Sequence, residues 1–147
     1  MRKVEKVYAY ITSENQLLVF KHVDFPEAGI QVPGGTLDAG ETPKAAVLRE
    51  AGEETGLRDL VVEKYLGGDD CIESRSNQTG IMVRYFFHLT CPSEVPETWQ
   101  HHEHHPSDGS PGPILFEFYW LLLAEAAEVM DNYFSVMLDR LPGAMSR

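Results

Sequence analysis

A chain of 147 residues, 43% of them hydrophobic, is about one domain's worth of sequence and long enough to bury a substantial core. Its net charge of -11 speaks against a broad nucleic-acid or anionic-membrane surface, because such partners are held largely by Lys and Arg. Only Cys71 and Cys91 are present, without C-x-x-C spacing, so they read as reduced core or strand thiols in a cytoplasmic protein.

The N-terminus runs into an alternating pattern with no apolar signal segment. Val4 to Ile11 and Gln16 to Val23 read as two strands joined at Ser13-Glu14-Asn15. A loop through Asp24 to Gly29 leads to Val32-Pro33-Gly34-Gly35, a turn signal in which proline sets one backbone angle and glycine accepts conformations that other residues avoid. Thr42 and Pro43 then mark a helix start: the threonine can cap free amides, and the proline's missing N–H is no loss in the first turn. Lys44 to Thr55 are good helix formers, and Gly56 sits at the C-cap position. At about 100° per residue, Glu50, Glu53 and Glu54 project from one face of this helix, with Leu48, Ala51 and Thr55 on roughly the other.

After the helix, Leu60 to Leu66 suggests a strand, followed by a hairpin turning near Arg75 to Gly80. Its second arm places Ile81, Val83, Tyr85, Phe87 and Leu89 on one face, with Met82, Arg84, Phe86 and His88 on the other. Pro92 to Pro113 reads as a long polar loop, and Pro113 to Leu123 as a central strand, apolar on both faces. The longest apolar run, Ile114 to Ala124, contains Glu117 and is too short to span a bilayer. A final helix from about Val129 to Leu141 would turn Val129, Tyr133, Val136, Met137 and Leu141 toward the core before Pro142-Gly143 stops it. No internal repeat or linker interrupts the chain, so residues 1–147 are expected to form one layered α/β or α+β domain.

The glutamates carry the chemistry. Like charges at i, i+3 and i+4 each cost a few tenths of a kcal/mol on a helix, and more where the face is buried. Arg49 can bridge one or two of them with its planar fork, but one positive charge does not balance three negative ones. A hard divalent cation would, and carboxylate oxygens suit Mg2+ or Mn2+. Acidic residues on a helix more often mark a solvated face. Here, however, Gly35, Glu41, Arg49, Glu50, Glu53, Glu54 and Gly56 fall at the spacing G-x5-E-x7-R-E-U-x-E-E-x-G-U. If each position matched by chance with probability roughly 0.06, the joint probability would be on the order of 10^-9 per starting position.

This spacing, from Gly35 to Leu57, is similar to the Nudix box, and the chain resembles a Nudix hydrolase. Ala51 fills one aliphatic position of the pattern, a small departure. The resemblance implies an α/β/α sandwich with a mixed β-sheet between helices. It also implies hydrolysis of a pyrophosphate bond in a nucleoside diphosphate linked to another moiety. Carried over residue by residue, Glu53 and Glu54 would be metal ligands and Glu50 a further ligand or the base that activates water. Arg49 would orient those glutamates, Glu41 would support the loop–helix junction or an outer-shell water, and the Gly34-Gly35 turn could offer a carbonyl to the metal. Mg2+ is the implied cofactor, with Mn2+ able to replace it; the partner is a small nucleotide derivative rather than long nucleic acid or a membrane. A homo-oligomer is compatible with all of this.

The base in this family can lie outside the box, and Glu117 is the outside candidate, sharing a strand face with Leu115, Tyr119 and Leu121. The alternative for it is a pairing with Arg84 or another basic side chain. Glu97, Glu103 and Asp108 are further loop candidates. His101, His102, His104 and His105 invite a transition-metal reading, yet consecutive residues in a polar loop define no coordination geometry, and a solvated loop or a substrate lid fits better. Trp99 could stack on a base or anchor the loop. Lys21, Arg75 and Arg84 could each meet substrate phosphate or be ordinary surface or paired charges. Beside the hydrolase stand two other readings: a Nudix-fold nucleotide-binding or regulatory module without turnover, and an interaction domain whose box is structural.

Overall fold

The computed structural model describes residues 2–75, 77–103 and 113–143. Its organising strands are apolar on both faces. In β1 (Arg2–Ser13), alternation sends Val7, Ala9 and Ile11 into one core and Tyr8 and Tyr10 into another; in β2 (Gln16–His22), Leu18 and Phe20 join the first, Leu17 and Val19 the second. A strand buried on both sides needs cover on both sides. One face is covered by α1 (Pro43–Thr55), which contributes Ala46, Val47 and Ala51. The other is covered by C-terminal residues, among them Ala126, Met130, Met137, Leu138 and Leu141. Burying each large apolar side chain contributes about 1.5–3 kcal/mol, so the two cores are what hold the layers together.

Five more strands complete one seven-stranded mixed sheet: β3 (Gly34–Thr36), β4 (Val61–Arg75), β5 (Gln78–Thr90), β6 (Thr98–Glu103) and β7 (Ile114–Leu122). The order is β4-β5-β1-β2-β7-β6, with β3 paired to β1; β1 and β5 run parallel, the other pairs antiparallel. The expected mixed sheet between helical layers is therefore present. No helix among the described residues is long and apolar enough to cross a membrane.

Four expectations need correction. Leu60 to Leu66 is not a separate strand: Val61 onward belongs to β4, one 15-residue arm of the hairpin with register shifts at Val62/Lys64 and Tyr65/Gly67. Those bulges break the period-two pattern that would have joined the two halves. The polar stretch after Pro92 contains β6, and Leu123 begins a helix rather than ending a strand. The single final helix is instead α2 (Leu123–Val129), α3 (Asn132–Ser135) and a 3-10 turn at Leu138–Arg140. Met130 is extended and Asp131 starts a new cap by accepting from the Tyr133 amide, so Val129, Tyr133 and Val136 are left exposed while Met137 and Leu141 are buried. The cysteines are free, as expected: Cys71 is an exposed residue of β4, and Cys91, just past β5, is half-buried.

Arg84 shares its buried face with Met82, Phe86 and His88, as the alternation of β5 predicts. Its partner is Asp69, directly opposite on β4, through Nε (2.9 Å) and Nη2 (2.7 Å), and its guanidinium lies 4.2 Å from the Tyr133 ring centre. Asp69→Asn is expected to cost about 2–3 kcal/mol in urea unfolding. That is below the figure for a wholly enclosed pair, because the Asp69 side chain is 33% exposed. An unchanged midpoint would show that Tyr133 and the aromatic rings alone satisfy Arg84.

Candidate functional site

The site is built on α1. The Thr42 hydroxyl accepts from the Ala45 amide at 3.1 Å, Pro43 opens the first turn, and Gly56, at φ +81°, donates to the Gly52 carbonyl at 2.8 Å. The backbone at Gly56 lies in the left-handed region, which favours glycine. The buried stripe of this helix is Ala46, Val47, Glu50, Ala51, Glu54 and Thr55. Glu50 and Glu54 therefore face inward beside Ala51 and Thr55, not away from them as the helical wheel suggested. Glu53 stays on the solvent side, with 53% of its side chain exposed.

The turn before the helix is shaped around these two glutamates. A Cβ at Gly35 would fall 2.1 Å from the Glu50 carboxyl carbon, so that carboxyl occupies the space only glycine leaves open. The Gly34 amide donates to Glu54 Oε1 at 2.9 Å. A third carboxyl comes from outside the box: Glu103, the last residue of β6, is 5% exposed and acts electrostatically on both Glu50 and Glu54. Burial pushes Glu50 up to about 7, against the opposing pull of Arg49, with Glu53 and Glu103 adding to the rise. Burial likewise holds Glu54 well above the usual carboxylate range, and Glu103 and Glu50 add to it over the Gly34 hydrogen bond.

Arg49 ties the solvent side together. Its Nε and Nη2 grip Glu41 at 2.7 and 2.8 Å, Nη2 also donates to the Thr36 carbonyl, and Nη1 reaches Glu50 at 3.2 Å and Glu53 at 3.4 Å. That forked contact holds the Glu41 carboxyl down at about 2, and the Asp38 amide bonded to Glu41 Oε1 acts in the same direction. Glu41 thus braces the junction between loop and helix, and the arginine spans the two classes of glutamate, buried and exposed.

A cavity of about 130 Å³ opens beside the cluster, lined by Glu54 and Glu103 together with Gly34 and Gly35, and by Lys6, Gln31 and the aromatic rings of Tyr8, Phe20 and Phe116. Glu117 is not in it. It sits between Phe116 and Phe118, whose side chains enter the α1 core, so strand alternation turns it to the opposite face, where it pairs with Lys21 at 3.7 Å. Glu97 is exposed and outside the cluster; Asp108, His104 and His105 lie outside the described residues. His101 and His102 belong to β6 rather than to a loop, and Trp99 anchors that strand by stacking on Phe118 at 5.1 Å.

The donor set is all oxygen, which suits a hard cation such as Mg2+ or Mn2+, and Glu50 and Glu54, whose ionisation is held back by burial and by neighbouring carboxyls, would gain from one. Among the described residues, no three His, Cys, Asp or Glu side chains are already gathered as a ligand set. The fit is thus one of donor chemistry and burial, not of preset coordination geometry.

Comparison with known proteins agrees with this architecture. The family model described as the NUDIX domain matches residues 2–135. Two curated relatives, RNA pyrophosphohydrolases of Rhodospirillum rubrum and Gluconobacter oxydans, are 42% identical over 52 residues and 39% over 51; each match spans 35% of this chain and covers about a third of the relative, 31% and 30%. Among solved structures, a NUDIX hydrolase from Nitrosomonas europaea superposes with a TM-score of 0.62 at 21% identity, covering 98% of this chain and 84% of that one. The MutT NUDIX hydrolase from Burkholderia pseudomallei gives 0.60 at 19%, covering 96% and 99%. The E. coli dihydroneopterin triphosphate pyrophosphohydrolase gives 0.60 at 17%, covering 95% and 93%. At these identities the likeness is one of fold.

Proposed function

The chain belongs to the Nudix family, and from that premise we propose that it is a metal-dependent pyrophosphohydrolase acting on a nucleoside diphosphate linked to another moiety. The observation that carries this reading is the burial of Glu50, Glu54 and Glu103 together at the Gly34-Gly35 turn, beside a cavity. Enclosing that much carboxylate carries a desolvation cost that a divalent cation would relieve.

In this reading Glu54, Glu53 and the Gly34 carbonyl hold Mg2+ or Mn2+, and Glu50 is a further ligand or the acceptor of a proton from the attacking water. A bound divalent cation supplies neutralisation of phosphate charge and a lowered pKa for water. The chain's own residues do the positioning. Gly35 leaves the space that Glu50 fills; Arg49, braced by Glu41, fixes the angle between Glu50 and Glu53; Glu103 brings a carboxyl to the same cavity from β6. The aromatic lining of the cavity excludes water and offers flat surfaces to a base, while Lys6 and Gln31 supply polar contacts.

The test is a panel of sugar nucleotides, dinucleotides, oxidised nucleotides and a 5′-triphosphorylated RNA oligonucleotide, with products identified by mass spectrometry. The RNA is included because the curated relatives carry that activity in their name; the net charge of -11 restricts such a substrate to contacts near its end. Turnover of at least one compound is expected to vanish with a chelator and return with Mg2+ or Mn2+. Full activity in a verified metal-free preparation would remove the assignment. Nucleotide-dependent thermal stabilisation without any turnover would replace it with a binding module.

A further inference from the structure

β6 makes a second set of contacts that the reaction scheme above does not use. Its inward side chains are Trp99, His101 and Glu103, at alternate positions about 6.6 Å apart. The first two reach the C-terminal turn of α1. Trp99 Nε1 donates to the Thr55 carbonyl at 2.9 Å, and His101 Nε2 meets the Glu53 carbonyl at 2.9 Å. A carbonyl only accepts, so His101 carries its hydrogen on Nε2. The last carbonyls of a helix have no partner within it, and these two are satisfied by the strand. The imidazole also lies against Gly56, where a Cβ would come within 3.0 Å of the ring, so a side chain at that position would push the histidine away.

The contacts form an ordered series. Along β6 from Trp99 through His101 to Glu103, the facing residues of α1 run Thr55, Glu53 and then the Glu50–Glu54 pair. Among the described residues β6 is an edge strand, paired with β7 alone. A slip of one residue along β7 would turn Glu103 outward and His102 inward.

We propose that Trp99 and His101 are positioning residues that lock β6 in register against the C-terminal turn of α1 and so hold the Glu103 carboxyl against Glu50 and Glu54. This rests on the pyrophosphohydrolase reading of that cluster. Neither residue touches the reacting atoms; both act through Glu103.

His101→Phe keeps a ring over Gly56 and removes the donor, His101→Gln restores an N–H of similar reach, and Trp99→Phe keeps the stack on Phe118 without the indole N–H. In substrate-free protein, Mn2+ titrated calorimetrically is expected to bind about tenfold more weakly to His101→Phe and to the double variant with Trp99→Phe, and His101→Gln is expected to recover most of the loss. In turnover, kcat is expected to fall by a similar factor with KM nearly unchanged. In a Glu103→Gln background, His101→Phe should lose almost all of its effect. Unchanged Mn2+ affinity and kcat, or a loss of equal size with and without Glu103, overturns the inference and leaves the activity untouched. A parent that binds Mn2+ but hydrolyses nothing removes the activity, and the inference is then judged on Mn2+ affinity alone. A parent that binds no Mn2+ removes both. Should His101→Phe fail to fold, Trp99→Phe carries the same cycle.

Discussion

Glu54→Gln is expected to lower turnover by about a thousandfold while leaving the metal-free protein more heat-stable than its parent. The two effects have one origin. Glu54 is 9% exposed, takes one hydrogen bond from the Gly34 amide, and faces Glu50 and Glu103. In chelator at neutral pH its carboxyl must lose hydration when charged or retain a proton that the unfolded chain would release; both lower stability. Glutamine has the same size and still accepts from Gly34, yet carries no charge, so relief of roughly 1 kcal/mol should raise Tm by about 2–4 °C. The same neutral oxygen is a poor ligand for Mg2+ or Mn2+, and losing a charged ligand removes several kcal/mol of transition-state stabilisation, about 4 for three powers of ten. Circular dichroism melts in chelator and initial rates in Mn2+ check both. A variant that is less stable without metal and still active would mean that Glu54 is a structural acceptor for the Gly34 turn and nothing more.

How much of this could be read from the chain depends on whether a residue's role is local. Thr42, Pro43 and Gly56 act within a few residues of themselves, so the ends of α1 were legible and fall where expected. The box glutamates were legible as a set for the same reason, but their division into buried Glu50 and Glu54 and exposed Glu53 was not, because it depends on where the sheet lies. β6 was invisible to hydrophobic patterning. Its inward residues after Trp99 are a histidine, bonded to the backbone of α1, and a glutamate, polar groups that apolar patterning does not register. The C-terminal helix was misread because apolar spacing continues from Val129 to Leu141 across Met130 and Asp131, where an extended backbone and a new cap interrupt it. Glu103 was legible only as one acid among several in a polar stretch; the strand that carries it has to be seen before it can be ranked above Glu117.

Glu103 and Glu117 are accordingly expected to separate by more than an order of magnitude when each is replaced by glutamine. Glu103→Gln removes a charge from a buried cluster bordering the cavity. A positioned proton acceptor is worth about 10^2–10^4 in rate, and loss of a charged ligand is of similar size, so a fall of about a hundredfold or more follows for either role. Glu117→Gln removes only a 3.7 Å contact to Lys21, with side chains 38% and 49% exposed, on the other face of the sheet from Phe116 and Phe118. Pairs that exposed contribute about 0–1 kcal/mol, so stability and rate should stay within about twofold to fivefold of the parent. Rates at saturating Mn2+ together with urea midpoints for both variants decide the matter. A hundredfold loss in Glu117→Gln with Glu103→Gln unaffected would move the reacting centre to the opposite face of β7, and the cavity beside α1 would then have to be something other than the substrate site.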